Sequence, residues 1–129
     1  MTSNRGNIQF INDIHSTAWH ALRQQYPNAI MITDENVQPL YGDTLAAACD
    51  AQVITIPAGE KHKNRQTKAF IEDELCKRQF RRNDLLIAVG GGVITDLVGF
   101  VAATYQRGVD HINIPTTLLA MVDAAIGGK

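Results

Sequence analysis

Three glycines in a row, Gly90-Gly91-Gly92, stand between an apolar run, Leu85–Val89, and a second run that opens Val93-Ile94-Thr95-Asp96. A glycine-rich turn that leaves a strand and opens a helix lets backbone come close to a ligand and aims unpaired N–H groups at an anion, phosphate being the natural occupant. The spacing is not G-x-G-x-x-G, so the usual dinucleotide fingerprint is absent. Taken alone, the triplet reads equally well as a tight strand-to-helix turn. Three further segments carry side chains suited to hydroxyls and phosphates: Thr33-Asp-Glu-Asn36, Pro57-Ala-Gly-Glu-Lys-His-Lys63 and Pro115-Thr-Thr117. Singly, Asn36, Thr116 and Thr117 read as helix caps, and Glu60 with Lys63 as a surface pair worth little. Each segment, however, follows a strand-like run, and parallel strands point their carboxyl ends one way. The four clusters then share one rim of a sheet, where open α/β sheets bind ligands.

The elements that must build this rim alternate regularly. Strands are expected at Asn28–Thr33, Gln52–Ile56, Asp84–Val89 and His111–Ile114, with a weaker one at Ile8–Phe10. Helical spacing marks Ser16–Gln25, Val37–Cys49, Asn64–Phe80, Val93–Tyr105 and Thr117–Ala125. Strands that are apolar throughout, alternating with helices, predict an α/β fold with a parallel sheet covered on both faces. In Val93–Tyr105 the residues Ile94, Leu97, Val98, Val101, Ala102 and Tyr105 gather on one face, while Gly99 and Ala103 form a small-residue pair on another. The stripe expected in Asn64–Phe80 is Phe70, Ile71, Leu75 and Phe80.

The 129 residues suit one core. Twelve Lys and Arg balance thirteen Asp and Glu, with no basic stripe interleaved with aromatics, so nucleic acid is not an expected partner. Cys49 and Cys76 lack CxxC spacing and read as buried structural thiols of a reducing compartment. No apolar run reaches membrane-spanning length and residues 1–7 lack an apolar signal core. A cytoplasmic protein without a membrane partner is the expectation. His15, His20, His62 and His111 share no ligand spacing, so no metal site is expected.

The run GGGVITDLVGFVAATYQRGVDHINIPTTLLAMVDAAIGGK, with TDEN…PLY and PAGEKHK upstream in the same order, resembles the signature of the 3-dehydroquinate synthase family from about residue 30 to residue 129. The resemblance implies a Rossmann-like N-terminal NAD-binding domain over 1–129. It places the family's C-terminal, metal-binding helical domain outside this chain, and with it the divalent metal, zinc or cobalt. It implies conversion of a sugar phosphate, 3-deoxy-D-arabino-heptulosonate 7-phosphate, to 3-dehydroquinate and phosphate in a homodimer, the isolated segment acting only as a cofactor-binding module. By the same resemblance, Asp34 and Asn36 meet the adenosine side of NAD and Glu60 and Lys63 its sugars and phosphates. Gly91, Gly92 and Val93 cradle the pyrophosphate, Asp96 accepts from a ribose or from substrate, and Thr116 and Thr117 complete the cleft. Arg107, Asp123 and Lys129 stand toward the substrate, Arg107 across the subunit boundary. Other sugar-phosphate cyclases, of the valiolone or inosose type, and iron-type polyol dehydrogenases are the alternatives. Thr95 departs from the family's glycine and makes close backbone approach harder there, and Ala124 and Ala125 replace two serines.

Overall fold

Runs of β-branched and aliphatic residues bounded by Gly, Pro and Asp become four strands in a computed structural model of the chain, which describes residues 20, 21 and 23–116. They are β1 (Ala29–Asp34), β2 (Gln52–Ile56), β3 (Leu85–Gly90) and β4 (Asp110–Pro115). All pair in parallel, in the order β2-β1-β3-β4. β3 is buried at every position. β2, at one edge of the described sheet, alternates between buried residues and ones that are half-buried or exposed, as a strand with one face better covered than the other does. The strand expected at Ile8–Phe10, the helix at Thr117–Ala125 and most of that at Ser16–Gln25 lie outside the described residues.

Among the described residues, three helices cover the sheet: α1 (Asp43–Cys49), α2 (Arg65–Lys77) and α3 (Gly92–Thr104). Leu45, Ala46 and Cys49 of α1 pack on Met31, Leu85, Ile87, Ile112 and Ile114. On the other face, Ile71 and Leu75 of α2 and Ile94, Leu97, Val98 and Val101 of α3 pack on Ile30, Ile32, Leu86 and Ala88. Right-handed crossovers require this division, because the chain leaves β1 toward β2 but leaves β3 in the opposite direction.

Where the structure departs from expectation, local chemistry gives the reason. Asn64 is not in its helix but caps it, its side chain accepting from the Thr67 amide, and the helix stops at Lys77 while Phe80, beyond it, is still buried. Phe70 is 45% exposed and the small Thr67 takes the inward position instead. Cys76 is exposed and only Cys49 is a buried thiol. The expected helix Val37–Cys49 divides into a π-helical turn, Gln38–Gly42, and α1. Pro39 lies in the first turn of that wide turn, and Gln38 is tied to Thr55 of β2 through a side-chain hydrogen bond.

Gly90 shows why the first of the three glycines is needed. A Cβ there would lie 2.7 Å from Cγ1 and 2.9 Å from Cβ of Ile94, a fully packed residue. Gly90→Ala is therefore expected to destabilise the domain by about 1–3 kcal/mol, as overpacking does. The urea midpoint should fall with an unchanged slope.

On β4, His111 and Asn113 face α3 from a buried surface, and among the described residues neither His111 ring nitrogen has a hydrogen-bond partner. Gly99 of α3 lies over this ring: a Cβ there would sit 3.9 Å from His111 Nε2, an ordinary contact. Burial pushes the imidazole below its usual value, with the neighbouring Asp110 carboxylate opposing the shift. A histidine with a lowered folded-state pKa contributes its full stability above the unfolded value of about 6.5 and loses it as pH falls below that. Thermal midpoints should thus drop between pH 7 and pH 5, and His111→Phe should flatten that slope.

Candidate functional site

The connections after β1 and β3 leave the sheet in opposite directions, so the gap between those two strands is its topological switch point. The carboxyl ends of the strands bring the expected clusters together there. Thr33 Oγ1 donates to the Val89 carbonyl at 2.8 Å, locking the end of β1 to the end of β3. Asp34 Oδ1 accepts from the amides of Asn36 (2.9 Å) and Val37 (2.8 Å), which shapes the loop after β1. Glu35 then ties that loop to the next: its amide donates to the Ile56 carbonyl, and its Oε2 accepts from the Ala58 amide at 3.2 Å. The Thr116 amide donates to the Gly90 carbonyl at 2.9 Å, extending the β3–β4 ladder to the threonine.

The glycine turn itself presents a helix terminus. Gly91 is the N-cap of α3 and supplies no side-chain cap, and the first backbone bond of the helix runs from the Thr95 amide to the Gly91 carbonyl. The amides of Gly92, Val93 and Ile94 therefore precede the intrahelical ladder, and the positive end of the helix dipole lies with them. Among the described residues, a Cβ at Gly92 would meet nothing within 4 Å. Unlike Gly90, this glycine is not required by the packing of the described residues, which leave the space in front of it open. Thr95 is buried and donates its hydroxyl to the Gly92 carbonyl at 3.3 Å. The expected obstruction by its branched side chain does not arise at the mouth of the turn, because that side chain is packed inward.

Lys63 completes the rim. Its Nζ donates to Asp96 Oδ2 at 2.7 Å and lies 3.7 Å from Glu60 Oε1. The Asp96 hydrogen bond is the main reason that the Lys63 ammonium titrates above its usual value. The pair is half exposed, so it contributes little stability and can re-form its bonds toward a ligand's hydroxyls. A cleft of about 630 Å³ runs from this pair along α2 and α3, lined also by Phe100, Gly99 and Ala103.

Arg107 is not at this rim. α3 starts beside Gly90 and runs back for thirteen residues, about 20 Å at 1.5 Å per residue. Arg107 follows it, and β4 begins with Asp110 paired to Leu85, the first residue of β3. Arg107 thus stands at the amino-terminal end of the sheet. Thr117, Asp123 and Lys129 lie outside the described residues. Sequence reasoning missed Thr33 and Glu35; the buried hydroxyl of a strand-terminal threonine was the one available signal. Among the described residues, no three His, Cys, Asp or Glu side chains converge as a metal site, and no helix is long and apolar enough to cross a membrane.

A doubly wound, Rossmann-like parallel sheet with an uncapped helix terminus at its switch point defines the class of domain. The chain belongs to the 3-dehydroquinate synthase family: the family model described as 3-dehydroquinate synthase N-terminal matches residues 53–129. It is 53% identical over 106 residues to 3-dehydroquinate synthase of Neisseria gonorrhoeae, covering 78% of this chain and 30% of that one. It is 52% identical over 118 residues to 3-dehydroquinate synthase of Dichelobacter nodosus, covering 89% and 32%. The chain thus spans about a third of the length of these curated relatives. Among solved structures, a 2-deoxy-scyllo-inosose synthase complexed with carbaglucose-6-phosphate, NAD+ and Co2+ superposes with a TM-score of 0.79 at 26% identity, covering 92% of this chain and 34% of that one. The 2-epi-5-epi-valiolone synthase of Streptomyces hygroscopicus subsp. jinggangensis, with NAD+ and Zn2+ bound, gives 0.72 at 30%, covering 96% and 36%.

Proposed function

We propose that residues 1–129 form the N-terminal NAD-binding domain of a cytoplasmic, homodimeric 3-dehydroquinate synthase. The complete protein then converts 3-deoxy-D-arabino-heptulosonate 7-phosphate to 3-dehydroquinate and phosphate. The observation that carries the reading is the uncapped α3 terminus with open space before Gly92, placed at the switch point between β1 and β3. A pyrophosphate fits this chemistry: small residues, amide donors and a helix dipole. Gly91, Gly92 and Val93 would hold it through backbone. Asn36 and the second carboxylate oxygen of Asp34 would meet the adenosine side, Glu60 and Lys63 the ribose hydroxyls and phosphates, and Thr116 and Thr117 the remaining wall. NAD, when bound, supplies a reversible hydride acceptor for a secondary alcohol of the sugar.

The residues of this chain bind and orient. Asp96, held by Lys63, accepts from a ribose or substrate hydroxyl. Asp123 accepts from sugar hydroxyls, while Lys129 and Arg107 match the substrate's carboxylate and phosphate. Arg107 reaches a partner's site because it lies at the end of the sheet away from its own glycine turn. The described residues do not fit a divalent metal.

The curated relatives at about 50% identity favour this activity over the inosose and valiolone cyclases, whose structures are 26–30% identical. The deciding experiment offers the complete protein the heptulosonate phosphate and sedoheptulose 7-phosphate in competition, with NAD and zinc or cobalt. Phosphate release should depend on the carboxylated sugar, and residues 1–129 alone should bind NAD more weakly and release none. Equal use of both sugars would move the assignment to a valiolone-type cyclase.

A further inference from the structure

Two successive residues with a Cβ adopt left-handed backbone, Gln106 (φ 45, ψ 42) and Arg107 (φ 68), and Gly108 (φ 106) follows. That region disfavours any side chain beyond glycine, and such outliers persist only where their surroundings over-determine them. Here the surroundings are specific. The Gly108 amide donates to the Tyr105 carbonyl at 2.8 Å and the Val109 amide to the Ala102 carbonyl at 2.7 Å, which folds the turn onto the end of α3. Gln106 Nε2 donates to the Phe80 carbonyl at 3.4 Å, a residue 26 positions earlier. The ring of Phe80 is buried and packs edge-to-face on Tyr105, with centroids 6.0 Å apart. The turn is therefore pinned from both sides to the loop that precedes β3. Among the described residues, no hydrogen bond or ion pair holds the exposed Arg107 side chain itself.

We infer that Gln106 is a positioning residue for Arg107: its amide, anchored on the Phe80 carbonyl, fixes the left-handed backbone from which the guanidinium leaves the sheet. The inference rests on the reading that Arg107 contacts the phosphate-bearing substrate. A residue needed only to adopt a left-handed conformation would be glycine, which does so without penalty. Glutamine brings an anchor that glycine lacks. Misplacing a substrate contact by about 1 Å can cost on the order of 10²-fold in rate, so a partly released Arg107 should lower turnover more than it lowers stability.

The test uses the complete protein and three variants, Gln106→Gly, Gln106→Glu and Arg107→Ala, together with the double variant Gln106→Gly/Arg107→Ala. Gln106→Gly should lose about tenfold in kcat/KM for the sugar phosphate, within the range that small misplacements produce. Its KM for NAD and its thermal midpoint should be unchanged, because NAD occupies the opposite rim. Gln106→Glu, which sets an acceptor against the Phe80 carbonyl, should lose at least as much. In the Arg107→Ala background, Gln106→Gly should add nothing, the sign of two residues acting as one. A Gln106→Gly variant with undiminished kcat/KM beside an impaired Arg107→Ala, or losses that multiply in the double variant, would overturn the inference alone. A fully active Arg107→Ala would remove the substrate role of Arg107 and the inference with it.

Discussion

Gly92→Val should sharply weaken NAD binding while the domain stays folded. Among the described residues, a Cβ at this position meets no atom within 4 Å, so they accept the branched side chain, and position 92 is the first residue of α3, where packing against a preceding turn is absent. On the proposed reading, the same side chain stands where a phosphate approaches the amides of Gly92, Val93 and Ile94. The loss combines a steric block with removal of a helix-terminus contact that is itself worth up to about 2 kcal/mol. The Kd for NAD should therefore rise by more than about 10²-fold, some 2.7 kcal/mol. Calorimetric titration at millimolar NAD measures this, with the urea midpoint as the control for folding. Unaltered affinity would exclude the turn as the pyrophosphate site. The contrast with Gly90→Ala is the sharper form of the prediction: of two glycines two residues apart, one substitution destabilises and the other only disarms.

Arg107→Ala should silence a homogeneous enzyme and yet be rescued by mixing. Removing one partner of a desolvated charge pair costs about 2–5 kcal/mol, so kcat/KM for the sugar phosphate should fall by at least about 30-fold. If Arg107 serves the neighbouring subunit, chains carrying Arg107→Ala and chains carrying Gly92→Val are complementary. In a mixed dimer, one site receives an intact glycine turn from the first chain and an intact Arg107 from the second. Reassembled mixtures should regain up to about a quarter of wild-type activity, since half of the dimers are mixed and each holds one competent site. No recovery after verified exchange would place Arg107 in its own subunit's site.

The sheet was readable because its strands are buried on both faces: the Leu85–Val89 run has no polar position to confuse it, and β3 is covered at every residue. The rim was readable for a related reason, since parallel pairing gathers all strand exits whatever the loops contain. Side-chain partnerships were not readable. Lys63 and Asp96 are 33 residues apart, and their contact depends on where α2 and α3 lie on the sheet. Glu35 looked like one more polar residue in TDEN, and only the β1–β2 register brings it to the Ala58 amide. The π-helical turn was hidden because Gln38 is held by Thr55, on another strand. Phe70 misled because aromatic residues dominate a hydrophobic stripe on paper, whereas the buried position near it admits Thr67. The location of Arg107, by contrast, could have been argued in advance: a helix that starts at a strand's carboxyl end must finish near the amino end of the next.

Tyr26 gives the molecule an optical reporter. Its hydroxyl, just before β1, donates to Asp110 Oδ2 at 2.8 Å across a buried contact with the first residue of β4. Burial and the carboxylate together raise its pKa far above the ordinary phenol value. In an alkaline titration followed by phenolate absorbance, Tyr26 stays dark through the range in which an ordinary phenol ionises. It brightens only when β4 lets go of the segment before β1, and β4 is the strand that carries the Gln106–Arg107 turn at its head. Ultraviolet difference spectra thus record, without any label, whether the arm that presents Arg107 is seated.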